Sequence, residues 1–195
     1  MSQEQSNDAG VESFDITQAP DSLLIHRCID GDTWAFTILA RRYASMMRAY
    51  AIRFTSNTAD ADDVVQESLT AAWQHMHQVK KPEAIRSWLM RLTARKAIDL
   101  MRARRSHASI DNVEEPAAAA HHGPDSQTIV RAGIEELSSA LDALPQPQRQ
   151  VWLMRELAGM SYSEIAHDLS ISATAVRGRL ARARQSLIEN MDGWQ

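Results

Sequence analysis

Residues 161–187 read SYSEIAHDLSISATAVRGRLARARQSL, two short helices around a tight turn. Ser161 followed by Glu164 is a capping box, in which each side chain accepts a hydrogen bond from a backbone N–H at the helix start. Ile165, Ala166 and Leu169 make one apolar face. Ser170, Ile171 and Ser172 break that period, and Ser172 is a natural N-cap for the helix that follows. There Val176, Leu180, Ala183 and Leu187 recur at spacings of four, three and four, which buries one stripe.

The opposite face of the second helix carries the chemistry. At about 100° per residue, its outward line holds Thr174, Gly178, Ala181, Arg182 and Gln185. Most of these are small, so the backbone can approach a surface closely. Arg177 and Arg184 stand on one shoulder and Arg179 on the other. A slim ridge between guanidiniums suits a major groove, with base edges in the middle and phosphates on both sides. A solvated charged face would account for the arginines alone. The capped helix-turn-helix in front of them turns the reading to DNA. The candidate contacts are Ser172, Thr174, Arg177, Gly178, Arg179, Ala181, Arg182 and Gln185.

A net charge of −4 over 195 residues argues against a nucleic-acid binder until the charge is located. Glu4, Asp8, Glu12, Asp15 and Asp21 open the chain with no Lys or Arg among them, and Asp111, Glu114, Glu115 and Asp125 crowd residues 106–127. Setting aside those nine charges takes the remainder from −4 to +5. The acid therefore belongs to two segments poor in large apolar residues, read as a disordered tail over 1–20 and a flexible linker over 106–127. No apolar run approaches the roughly 20 residues of a membrane span, and no signal peptide opens the chain. Cys28 is the single cysteine, on a stripe with Leu24 and Ile25, and reads as a small core residue rather than a reactive thiol. A cytoplasmic protein is the simplest reading.

Between the tail and the linker lie four helical stretches, the first carrying Leu24, Ile25 and Cys28. Phe36, Leu39, Tyr43, Met46, Met47 and Tyr50 keep helical spacing after Asp30-Gly31-Asp32, which ends one helix and caps the next. Residues 58–73, TADADDVVQESLTAAW, crowd their acids at the helix start, where Asp60 and Asp62 complement the dipole. Gln66 and Glu67 extend that surface beyond the first turn, so Asp60, Asp62, Asp63, Gln66 and Glu67 form a candidate face for a protein partner. Residues 82–106 are basic. Trp88, Arg91, Arg95, Asp99 and Arg102 share one side of a helix, and Asp99 is placed to pair with Arg95 and Arg102. An indole beside guanidiniums suits unpaired bases as well as phosphates. Lys96 and Arg105 add to that cationic set.

Taken together, these motifs resemble those of the extracytoplasmic-function, or group IV, sigma factors of the bacterial sigma-70 family. Asp30-Gly31-Asp32 with Ala35, Phe36 and Tyr43 is similar to the opening of the family's second conserved region. Asp62-Asp63-Val64-Val65-Gln66-Glu67 is similar to the segment that grips the polymerase clamp helices. Trp88-Leu89, Ala97-Ile98-Asp99 and Arg102 look like the part that melts and reads the minus-ten element. Leu144-Pro145, Ser163-Glu164-Ile165-Ala166, Val176-Arg177, Arg179-Leu180 and Ala183-Arg184 look like the fourth region, which reads minus-thirty-five. The pattern departs at Arg95, where Asn is common, at Ser170, where Gly is common, and at Thr174-Ala175, where Gly-Thr is common. The resemblance implies a protein that binds core RNA polymerase at its clamp helices and flap, directs it to promoter DNA and helps to open it. It also implies an anti-sigma factor as regulator, no membrane insertion and no cofactor.

The C-terminal part continues the helical pattern. Val130, Ile134, Leu137, Leu141 and Leu144 repeat at four, three, four and three, Pro145 and Pro147 stop that helix, and residues 148–157 make another. Strand signals are nearly absent, so the expected fold is all-α. It consists of two small helical domains, 21–105 and 128–195, joined by the linker, the second holding the helix-turn-helix. Two rivals stay open. One is an autonomous helix-turn-helix regulator that binds operators as a dimer. The other is an enzyme, metal-dependent through its seven histidines. No paired carboxylates, nucleophile motif, phosphate loop or spaced His/Cys set supports the latter, and the adjacent His121 and His122 lack further ligands.

Overall fold

The computed structural model describes residues 15–108 and 128–191, with side chains described over 15–106 and 136–190. Of the tail expected to be disordered over 1–20, residues 15–20 are ordered: Ile16–Gln18 form a 3-10 turn capped by Asp15, Ala19 is buried, and Arg42 donates to the carbonyls of Thr17 and Ala19. Residues 1–14, most of the linker, the His121-His122 pair and Trp194 lie outside the described residues, as do the side chains of Val130 and Ile134. Within them every regular element is a helix: α1 (Asp21–Ile29), α2 (Thr33–Thr55), α3 (Thr58–His75), α4 (Ile85–Ala108), α5 (Thr128–Ala143), α6 (Gln146–Trp152), α7 (Tyr162–Asp168) and α8 (Ala173–Met191).

Each boundary has a local cause. Asp32 caps α2 by accepting from the N–H groups of Trp34 and Ala35 at 2.9 and 3.1 Å. Gly31 before it turns at φ 89°, a conformation that a Cβ disfavours. Asn57 caps α3, accepting from the N–H of Asp60 at 3.1 Å. Pro147 does not stop a helix. It lies in the first turn of α6, where its missing N–H has no intrahelical partner to lose. The helix then widens into a π turn over Leu153–Leu157 and ends at Gly159, φ 63°.

Helices α2, α3 and α4 pack pairwise, and α1 lies on α2. Their core includes Leu24, Ile25, Met47, Phe54, Ile85 and Met90, all 2% exposed or less. Cys28 belongs to it, and burial pushes its thiol up to about 11, away from reactivity at neutral pH. The C-terminal helices form the second group, with α8 crossing α5, α6 and α7. Ala140, Leu141, Leu144, Ala183 and Leu187 make a small core there. The groups are not apart. One continuous apolar core runs from α1–α4 into Val151, Leu153, Met154, Met160 and Ile165, and α6 rests on α2 while the π turn rests on α4.

Candidate nucleic-acid interface

The helix-turn-helix is built as its sequence requires. The N–H of Ser161 donates to Glu164 Oε2 at 2.7 Å and the N–H of Glu164 donates to Ser161 Oγ at 3.2 Å, which closes the capping box. The backbone N–H bond from Ser161 is the main cause that holds the Glu164 carboxyl below its ordinary range. After α7 the chain turns through Ser170 in the left-handed region, φ 55°. The N–H of Ile171 donates to Ala166 O at 2.9 Å, which satisfies a carbonyl of the helix end. Ser172 Oγ then accepts from the N–H of Ala175 at 3.1 Å, so this side chain is engaged as the cap of α8.

On α8 the stripe Val176, Leu180, Ala183 and Leu187 is buried. Thr174, Arg177, Ala181, Arg182 and Gln185 are exposed, and Gly178 and Arg179 are half-buried. Arg177 donates to Thr174 Oγ1 at 3.3 Å. The Arg182 guanidinium lies over Gly178, where a Cβ would stand 3.6 Å from it. Gln185 donates to Glu189 at 2.8 Å, and Arg184 on the shoulder is tied to Glu156 at 2.6 Å. The ridge expected from the sequence is therefore continuous, with Arg182 at its centre.

The second cationic face, on α4, is arranged differently from expectation. Trp88 is half-buried against the core. Asp99 reaches Arg102 at 4.0 Å, but Arg95 turns away from it to Asp168 at 3.3 Å. Arg91 donates to the carbonyls of Ala158 and Gly159 at 2.9 and 2.8 Å. Arg102 donates to the carbonyl of Asp168 and to Ser170 Oγ. Lys96 pairs with Glu67 of α3 at 3.4 Å, while Arg105 is exposed beside Asp168 and Gln150.

On α3 the exposed acidic face begins at Asp62, two residues later than the sequence implies. Asp60 is 3% exposed, ion-paired with Arg104, and burial raises its pKa. It is not part of an exposed docking face, because the third position of the helix points into the α3–α4 seam. Asp62 is exposed and held by Arg48 at 2.6 Å, which lowers its pKa. Asp63, Gln66 and Glu67 are exposed and line a shallow polar groove with Thr70, Gln74 and Lys96. The residues that sequence reasoning missed are Arg149, Gln150 and Asp168. All three are polar groups whose partners lie far away in the chain, and no local period marks such partners. Among the described residues, no group of three His, Cys, Asp or Glu could hold a metal ion, and no helix is long and apolar enough to cross a membrane.

Two family models match parts of the chain. Residues 39–107 match the family model for sigma-70 region 2, and residues 134–187 match the model for sigma-70 region 4. The chain is similar to the RNA polymerase sigma factor CnrH of Cupriavidus metallidurans, with 31% identity over 180 residues, 88% of this chain and 94% of that one. It is also similar to the ECF RNA polymerase sigma-E factor of Haemophilus influenzae, with 31% identity over 182 residues, 89% of this chain and 95% of that one. Among solved structures, CnrH in complex with the cytosolic domain of CnrY matches with a TM-score of 0.50 and 29% identity, covering 91% of this chain and 100% of that one.

Proposed function

The chain belongs to the sigma-70 family as an extracytoplasmic-function sigma factor, a promoter-directing protein of transcription initiation, and from that premise we propose how its residues divide the work. The division falls between domains at 21–105 and 128–195, with residues 106–127 as the connection. The exposed acids Asp62, Asp63 and Glu67, with Gln66, dock on the clamp helices of core polymerase, and the C-terminal domain engages the flap. The α4 set Trp88, Arg91, Arg95, Lys96, Arg102 and Arg105 holds the melted minus-ten strand. On α8, Arg182 reads base edges of the minus-thirty-five element through the gap left by Gly178 and Ala181. Arg177 and Arg179 take the flanking phosphates, with Ser172, Thr174 and Gln185 at the ends of the ridge. The chemistry of RNA synthesis stays with the polymerase, and the chain works in the cytoplasm.

The observation that carries this reading is the α8 ridge, where small residues flank a central arginine that is not committed to a carboxylate as Arg184 is. An anti-sigma factor is proposed as the regulator. The solved complex of CnrH with the cytosolic domain of CnrY supports a protein partner of that kind. The reading is tested by charge reversal on α3. Asp63→Lys with Glu67→Lys should weaken core binding at least tenfold while helicity is kept, as expected for a docking face of several charges. Unchanged core affinity in the folded double mutant would remove α3 from the polymerase interface.

A further inference from the structure

Between α2, α4, α5 and the π turn lies a half-open cavity of about 190 Å³, and none of its lining residues is among those assigned above to polymerase or DNA. Its walls are mainly apolar: Met46 and Ala49 from α2, Met90 from α4, Leu137 and Leu141 from α5, and Leu157. Met90 and Leu141 are 1% and 4% exposed, so core residues close its inner end. Leu157 and Arg86, both exposed, place its mouth at the surface. Water suits such a space poorly, because an enclosed water needs several polar partners. An apolar cavity of about 150 Å³ takes up benzene, and in proportion this one has room for roughly eight carbons.

The polar groups of the cavity are cationic. Arg86 donates to Met46 Sδ at 3.1 Å, a weak acceptor, and makes no ion pair among the described residues. Arg53, with a side chain 17% exposed, donates to the Ser138 hydroxyl and to the carbonyl of Ala49 at 3.2 Å. Its ion pair with Asp142 is stretched to 4.0 Å, and that carboxylate is half exposed. Met46 and Ser138 both line the cavity, so each guanidinium is anchored at its wall. Two arginines against one distant carboxylate leave a single positive charge, which a monoanion neutralises and a dianion exceeds. A carboxylate also matches the planar guanidinium donors. We propose that this cavity binds a small monocarboxylate with an apolar body, its carboxylate between Arg53 and Arg86 and its chain or ring against Met90, Leu137 and Leu141.

The test titrates octanoate, below its micelle concentration, into the full chain labelled at its methionine methyls. Met46 and Met90 line the cavity, so their methyl resonances should shift saturably, whereas the buried Met76 and Met160, which do not line it, should stay in place. Three further probes keep the eight-carbon body and change the head: 1-octanol, octylammonium and octyl phosphate. Octanoate should bind about tenfold tighter than 1-octanol, the difference that one hydrogen bond to a charged group makes. It should also bind tighter than octyl phosphate, and octylammonium should bind weakest. Arg86→Ala should abolish the preference for octanoate over 1-octanol while the octanol affinity is kept, since the exposed guanidinium is not part of the apolar wall. Ala49→Leu, which fills the cavity, should remove the binding of both. Comparison of the four heads on the unaltered chain decides the matter even where a variant does not fold. Shifts spread over every methionine, no saturable shift, or octylammonium or octyl phosphate binding as tightly as octanoate would overturn the proposal. So would a folded Arg86→Ala that still prefers octanoate, or a folded Ala49→Leu that binds as before.

Discussion

Arg182 and its neighbours on α8 differ in what surrounds them, and on the proposed division that difference separates reading from holding. Arg182 lies over Gly178 on the outward line, whereas Arg177 is bonded to Thr174 and Arg179 sits half-buried on the other shoulder. Truncating a base contact costs on the order of 1–3 kcal/mol on the preferred site and relaxes selectivity at one position. Truncating a phosphate contact weakens all sequences alike and lowers the salt slope by about one unit. Arg182→Ala should therefore flatten preference within the minus-thirty-five element, and Arg177→Ala or Arg179→Ala should lower affinity with the profile intact. Selection from randomised minus-thirty-five libraries by each mutant holoenzyme checks this, and an unaltered profile for Arg182→Ala means the roles are exchanged. Ser161 and Glu164 hold the domain rather than the DNA. Ser161→Ala should cost about 1 kcal/mol of stability. The Glu164 carboxyl has a folded pKa below its ordinary 4.5, so its contribution is present above that value and is lost as pH falls through the folded one. The stability gap between the natural chain and Glu164→Gln should accordingly narrow in denaturant titrations taken into the acid range.

Helices α3 and α4 show how far an element can be read without its neighbours. The run of residues 58–73 predicted α3 nearly to its ends, because the Asn57 cap and the apolar period are local. What the run could not reveal is that Asp60 faces Arg104, since the seam between two helices depends on their rotation against each other. Asp99 and Arg95 make the same point. They sit one turn apart on α4, yet Arg95 is drawn to Asp168, more than seventy residues away. A surface pair at that spacing is worth only about 0.2–0.5 kcal/mol, so a partner that is less exposed outcompetes it. On the reading that α4 handles separated strands, Trp88→Ala with Arg95→Ala should impair transcription from a duplex promoter more than from one pre-melted at the minus-ten element. Equal loss on both templates would indicate a folding or general binding defect.

For the whole molecule, the fold class and the division into two helical groups were legible in periodicity, capping residues and the charge map. The packing of one group on the other was not, because Arg149, Gln150 and Asp168 find their partners across the gap between 108 and 128. The charge map also resolves the net −4 of the chain: the acids that outnumber the bases lie mainly in the first 21 residues and in 106–127, and the helical faces assigned to DNA are basic. A promoter-directing role demands that this chain act with polymerase rather than alone, and that distinguishes it from a regulator that binds operators by itself. The most direct measurement is to map the start sites of transcripts made on genomic DNA by purified core polymerase with and without this protein. Added protein should create a small set of new starts, each preceded by the same two elements at a fixed spacing, and the free chain should footprint none of them. New starts without a shared pair of elements, no new starts at all, or a footprint on duplex DNA by the free chain would contradict the account.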